Sequence, residues 1–92
     1  MILKRSIKIR NSQGLHARPA SAFVKIAIQF SSDVTVRKGS DAVNGKSIMG
    51  LMTLAANKGS TIEIEVSGSD AERAMAALEE FLKNDREEGK TS

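Results

Sequence analysis

The sequence predicts an α+β fold, a two-layer sandwich of order β-α-β-β-α-β-α with helices against one face of a mostly antiparallel sheet. Three observations predict it. Apolar and polar side chains alternate with a two-residue period in short stretches, most clearly in Thr61-Ile62-Glu63-Ile64-Glu65-Val66. Helical spacing of apolar residues takes over between or after those stretches. The chain has 92 residues, of which 40% are apolar and 27% charged, enough for one modest core and too few for two.

Taken in order, Ile7 and Ile9 alternate with Lys8 and Arg10 and read as a first strand with one wet face. Asn11-Ser12-Gln13-Gly14 is a turn signal. Helical spacing runs from about His16 to Phe30, with Ala20, Val24 and Ala27 on one stripe. Phe23, Ile26 and Ile28 fall off that stripe, so the helix is apolar nearly all round and is either covered on both sides or docks something. Its most polar row is Arg18, Ser21 and Lys25, continued by Ile28. Pro19 belongs in the first helical turn, where its missing N–H costs nothing, and it disfavours helical angles at Arg18.

Val34 and Val36 alternate with Thr35 and Arg37 in a second strand, and Ala42-Val43 is a short third one ending at Asn44-Gly45. Ser47 reads as a helix N-cap, followed at helical spacing by Ile48, Leu51, Met52 and Ala55, with Asn57-Lys58-Gly59 as the stop. Ile48, Met49, Leu51 and Met52 hold more apolar groups than one face of so short a helix can bury. After the strand at 61–66, Ser69 or Asp70 caps a last helix whose buried stripe is Ala71, Ala74, Met75, Leu78, Phe81 and Leu82. The wet sheet face then shows Thr35, Arg37, Glu63 and Glu65. One domain over 1–84 and a polar tail over 85–92 are expected.

Composition excludes several function classes. With no Cys, there is no thiolate zinc site, disulfide framework or thiol nucleophile. No run approaches the roughly 18 apolar residues that span a bilayer, and the first residues lack a signal-peptide core, so a cytoplasmic protein without membrane insertion is expected. The net charge of +3 hides a split: residues 1–58 carry a net +8 and residues 59–92 a net −5. Such asymmetry suggests an acidic partner for the first part, either nucleic acid or an acidic protein surface. Nucleic acid is disfavoured, because the only aromatics are three Phe and no Gly-x-x-Gly clamp exists. Gly45-Lys46-Ser47 fails as a nucleotide-binding loop, since Gly39 and Gly45 have the wrong spacing.

The residues that carry chemistry lie at the first helix. His16 is the only His, and it follows a Gly-containing turn at a helix start. A helix N-terminus offers unpaired N–H groups and partial positive charge, and Arg18 adds a fork suited to phosphate oxygens. An imidazole is half neutral near physiological pH and is therefore a nucleophile. The set reads as a His that takes a phosphoryl group, with its oxygens caught by backbone N–H groups and Arg18.

Two segments then resemble a known family, HPr, the histidine-containing phosphocarrier of the bacterial phosphoenolpyruvate-dependent phosphotransferase system. Gly14-Leu15-His16-Ala17-Arg18-Pro19-Ala20 is similar to its active-site motif, and Asn44-Gly45-Lys46-Ser47-Ile48-Met49-Gly50-Leu51-Met52 to its regulatory motif. The resemblance, which Glu79-Glu80 also fits, spans about residues 2 to 83. It implies an open-faced β-sandwich, four antiparallel strands covered on one face by three helices. It implies that His16 accepts phosphate, on its δ nitrogen, from autophosphorylated enzyme I and passes it to an enzyme IIA component. Arg18 and the N–H groups of Ala17 and Arg18 would stabilise that phosphate.

It further implies that Ser47 is phosphorylated by HPr kinase/phosphorylase. The docking face would comprise Ser21, Lys25, Ile28, Ile48, Met49, Leu51 and Met52. A carrier of this kind is not an enzyme, needs no cofactor or metal, and is expected to be a monomer. A nitrogen-type regulatory carrier shares both motifs and is the alternative to a sugar-transport carrier; a basic nucleic-acid-binding module ranks below both.

Overall fold

A computed structural model describes residues 1–10, 14–54, 56, 57 and 59–84. The elements run β1 (Ile2–Lys8), α1 (Ala17–Ala27), β2 (Asp33–Lys38), β3 (Asp41–Asn44), α2 (Ile48–Thr53), β4 (Thr61–Ser67) and α3 (Ala71–Asn84). The expected turn at 11–13, the expected helical Ala55, Lys58 of the stop signal and the tail at 85–92 lie outside the described residues.

The strands form one antiparallel sheet of order β1-β4-β2-β3. The last strand in sequence is therefore an inner one, and its strict alternation shows why. Ile62, Ile64 and Val66 point into the core, whereas Glu63 and Glu65 stand on the open face. Register places Glu65 opposite Lys4 and Thr35, and Glu63 opposite Ser6 and Arg37. Arg37 donates to Glu63 at 3.3 Å and to Glu65 at 2.5 Å. Its hydrogen bond holds the Glu65 carboxyl below its ordinary value. The expected wet face is thus present and is a cross-strand charge network.

The first strand departs from expectation. It begins at Ile2 and ends at Lys8, because pairing with β4 runs from Ile2↔Ser67 to Lys8↔Thr61 regardless of the polar Lys4-Arg5-Ser6 stretch. Ile9 lies past the strand but is buried, and it exchanges backbone bonds with Ser60 and Gly59 at 2.8 Å.

Helix α1 stops at Ala27 rather than Phe30. There the chain tightens, with Gln29 N–H donating to Ile26 and Phe30 N–H to Ala27. Its buried face is Pro19, Ala20, Phe23, Val24 and Ala27, so Phe23, placed off the stripe by periodicity, is a fully buried core residue meeting Phe81 edge-on at 6.5 Å. From α3, Ala71, Ala74, Met75, Leu78 and Leu82 are buried as expected, with Phe81 partly buried against them. Among the described residues, no helix is long and apolar enough to cross a membrane.

The α1–β2 loop is fastened from two sides. Asp70, whose carbonyl accepts from the Ala74 N–H of α3, directs its carboxylate to the α1–β2 loop. It accepts the backbone N–H groups of Ser31 and Ser32 at 2.9 and 3.0 Å, and both serine hydroxyls. These bonds, led by that from the Ser32 hydroxyl, lower the Asp70 carboxyl from 3.8 to about 2. Arg73 of α3 stacks its guanidinium over Phe30, 5.9 Å from the ring centre.

Candidate functional site

His16 is the N-cap residue of α1 and is exposed. Its backbone is extended, with φ −82° and ψ −167°, and its carbonyl accepts from Ala20 N–H at 2.8 Å. Its imidazole makes no capping bond. The consequence is chemical. An N-cap side chain ordinarily satisfies an orphan N–H of the first turn. Here the N–H groups of Ala17 and Arg18 have no acceptor among the described residues, Pro19 has none to give, and the ring nitrogens stay free.

The turn before His16 is built tightly. Gly14 has φ +62°, and a Cβ there would collide with the Ala56 carbonyl oxygen and lie 2.9 Å from the Asn57 Cα. Leu15 is buried, and its N–H donates to the same Ala56 carbonyl at 2.9 Å. The segment following α2 therefore sets where His16 stands, a dependence that local sequence signals around residues 14–16 do not contain.

Arg18 lies at the second helical position and is exposed, and no carboxylate among the described residues pairs with it. The expectation that Pro19 pulls Arg18 off helical angles is not met, since Arg18 lies within α1. The bias from a following proline is outweighed by the Ala20–His16 bond and by burial of Pro19 and Ala20.

The second motif begins α2. Ser47 is its N-cap, with Oγ accepting from Gly50 N–H at 3.0 Å, as expected. Lys46 reaches the turn that follows α1, where its Nζ donates to the Phe30 carbonyl at 2.8 Å. This tie joins the turn after α1 to the approach to α2, and the two helices pack directly on each other. Lys46 was invisible in this role from sequence, because its acceptor is a backbone group sixteen residues away.

Of the residues assigned to docking, Lys25, Ile28, Ile48, Met49 and Met52 are exposed and Ser21 is half-buried. Leu51 is a correction. It is fully buried, one of the core residues of α2, because in a helix of six residues only one side faces the sheet and Leu51 supplies it. Apart from Met1 and Ile2, the exposed large apolar side chains among the described residues all lie on α2 or at the C-cap of α1. No group of described residues has the arrangement of a metal site.

Comparison with known proteins identifies the family. The family described as the PTS HPr component phosphorylation site matches residues 3–84. The phosphocarrier protein HPr of Neisseria meningitidis serogroup A is 53% identical over 81 residues, covering 88% of this chain and 91% of the relative. The crystal structure of HPr-C-His from Thermoanaerobacter tengcongensis superposes with a TM-score of 0.86 at 42% identity, covering 88% of this chain and 91% of that one. Crh of Bacillus subtilis, whose crystal structure shows a domain-swapped dimer, superposes with a TM-score of 0.74 at 36% identity, covering 94% and 99%.

Proposed function

The chain belongs to the HPr family of phosphocarriers, and on that footing we propose that His16 is the residue that carries the phosphoryl group. One observation supports this above all: an exposed N-cap histidine whose ring caps nothing, beside two helix N–H groups without acceptors and an unpaired Arg18. In the forward step, a neutral ring nitrogen of His16 attacks the phosphorus of a phosphohistidine on enzyme I. The new P–N bond forms as the donor's P–N bond breaks, and the donor nitrogen keeps the electron pair. The chemistry needs little beyond alignment and charge compensation. Arg18 and the N–H groups of Ala17 and Arg18 supply that charge at the equatorial oxygens. Donation to an enzyme IIA component is the same step in reverse.

The partner-facing surface is Ser21, Lys25 and Ile28 of the first helix segment with Ile48, Met49 and Met52 of the second. Ser47 is its regulatory site. A phosphate there adds about −2 charges at a helix N-terminus, which tolerates them, but within a surface meant for acidic partners. The acting species is a cytoplasmic monomer, since transfer uses one His16 and one docking face. Sedimentation at working concentration tests this, and a stable dimer that transfers phosphate at full rate would overturn it.

The central experiment is incubation with enzyme I and labelled phosphoenolpyruvate. The parent gains one acid-labile phosphate and His16→Ala gains none. Labelling of His16→Ala at the parental rate would falsify the assignment.

A further inference from the structure

The chain has no Cys, Trp or Tyr, so its readily oxidised sulfur is confined to four methionines. The fold sorts them sharply. Met75 is 2% exposed in the core beneath α3. Met1 is exposed just before β1, a strand that packs on β4 and α3. Met49 and Met52 are 75% and 42% exposed and share α2, the short helix that Ser47 caps and that packs on α1. Two soft thioethers thus stand exposed on α2, Met1 is exposed away from that helix, and the fourth, Met75, sits where an oxidant reaches it last.

We propose that Met49 and Met52 form a reversible oxidation site that controls partner docking, with hydroperoxides as the oxidant class. This rests on the docking-face reading given above. The sulfur lone pair attacks one oxygen of hydrogen peroxide. The S–O bond forms as the O–O bond breaks, sulfur is oxidised by two electrons, and the displaced oxygen leaves as water with both peroxide protons. A dithiol-dependent methionine sulfoxide reductase reverses the step, returning thioether and water and leaving a disulfide on the reductant.

The physical effect follows from polarity. A sulfoxide oxygen is a strong acceptor, and a partner surface shaped for apolar contact must desolvate it without offering a donor. The fold does not depend on these side chains. Leu51 and Leu54 hold α2 to the core, and the Ser47–Gly50 bond holds its start. Oxidation therefore alters docking and leaves the folded state in place.

The test exposes the full chain to hydrogen peroxide, locates added oxygen by peptide mass spectrometry, and measures phosphotransfer from enzyme I. Met49 and Met52 gain oxygen before Met75. kcat/KM falls about tenfold, through KM, with the thermal midpoint unmoved. The Met49→Leu/Met52→Leu double variant, whatever its own starting rate, keeps that rate after peroxide. Unchanged kcat/KM in protein oxidised at both positions overturns the proposal, as does an equal loss in the double variant. Unoxidised Ile28→Asp separates the two readings. If it transfers normally, the docking face itself is wrong and the proposal falls with it. If it is slow while the sulfoxide form is not, only the oxidation proposal is overturned.

Discussion

Asp70 and Gly14 each do work that their own neighbourhoods in sequence do not announce. The Asp70 carboxylate collects bonds from Ser31 and Ser32, nearly forty residues away, and is lowered from 3.8 to about 2 as a result. A carboxyl lowered in the folded state stabilises that state above its unfolded pKa. Its contribution is therefore fully present above about pH 4 and is lost as pH falls from 3.8 towards 2. Asp70→Asn should melt at a lower temperature than the parent near neutrality, with the gap closing at pH 2; a constant gap in melts across that range would refute this. Gly14, at φ +62° against the Ala56 carbonyl, has no room for a side chain. Gly14→Ala should cost about 1–3 kcal/mol in denaturant titration. It should also slow phosphotransfer by displacing His16, although the imidazole is untouched.

Among the elements, the two short helical segments differ in what their exposed side chains are for. Phe23 of α1 is fully buried, and Ile28 at the same helix's C-cap is 59% exposed. Phe23→Ala should lose about 3–5 kcal/mol of stability by leaving a cavity. Ile28→Ala should change stability by less than about 0.5 kcal/mol and instead raise KM with enzyme I. Calorimetry and steady-state transfer read the two effects separately, and a stable Ile28→Ala protein with parental KM would remove Ile28 from the docking face. At the start of α2, Ser47→Ala should cost about 1 kcal/mol through loss of the Gly50 cap. Ser47→Asp keeps an acceptor there and should hold the melting temperature, yet slow acceptance of phosphate through repulsion of acidic partners. Transfer to Ser47→Asp at the parental rate would remove the regulatory role.

For the molecule as a whole, the charge split resolves into two populations. Part of the basic first half is consumed internally. Arg37 binds Glu63 and Glu65 on the open sheet face, and Arg5 approaches Glu79 of α3 at 3.8 Å. Such exposed pairs contribute little stability each. Their larger effect is to remove those cations from the field that a partner meets. Arg18 and Lys25 remain unpaired among the described residues, and both lie on α1. Partner docking should therefore weaken as salt rises from low to physiological concentration, and Lys25→Glu should flatten that dependence. A salt-independent KM would shift the weight of docking onto Ile28, Ile48, Met49 and Met52.

Much of this protein was legible in order along the chain. Alternation fixed the inward and outward faces of β2 and β4, because side chains on a strand have a strict period of two. Ser47 announced its helix because a hydroxyl before an apolar run has one favourable use, and His16 with Arg18 and Pro19 announced a helix start suited to phosphate. What the sequence could not decide were matters of long-range pairing. The strand β1 runs back to Ile2 because β4 is there to bond it. Phe23 and Leu51 are core, and Met49 and Met52 surface, because only the packed sheet defines which side of a short apolar helix is covered. The ties of Lys46 to Phe30, Asp70 to Ser31 and Ser32, and Leu15 to Ala56 join segments far apart in the chain. Local patterning carries propensity and periodicity, whereas a contact between distant residues exists only once the chain has closed the loop between them.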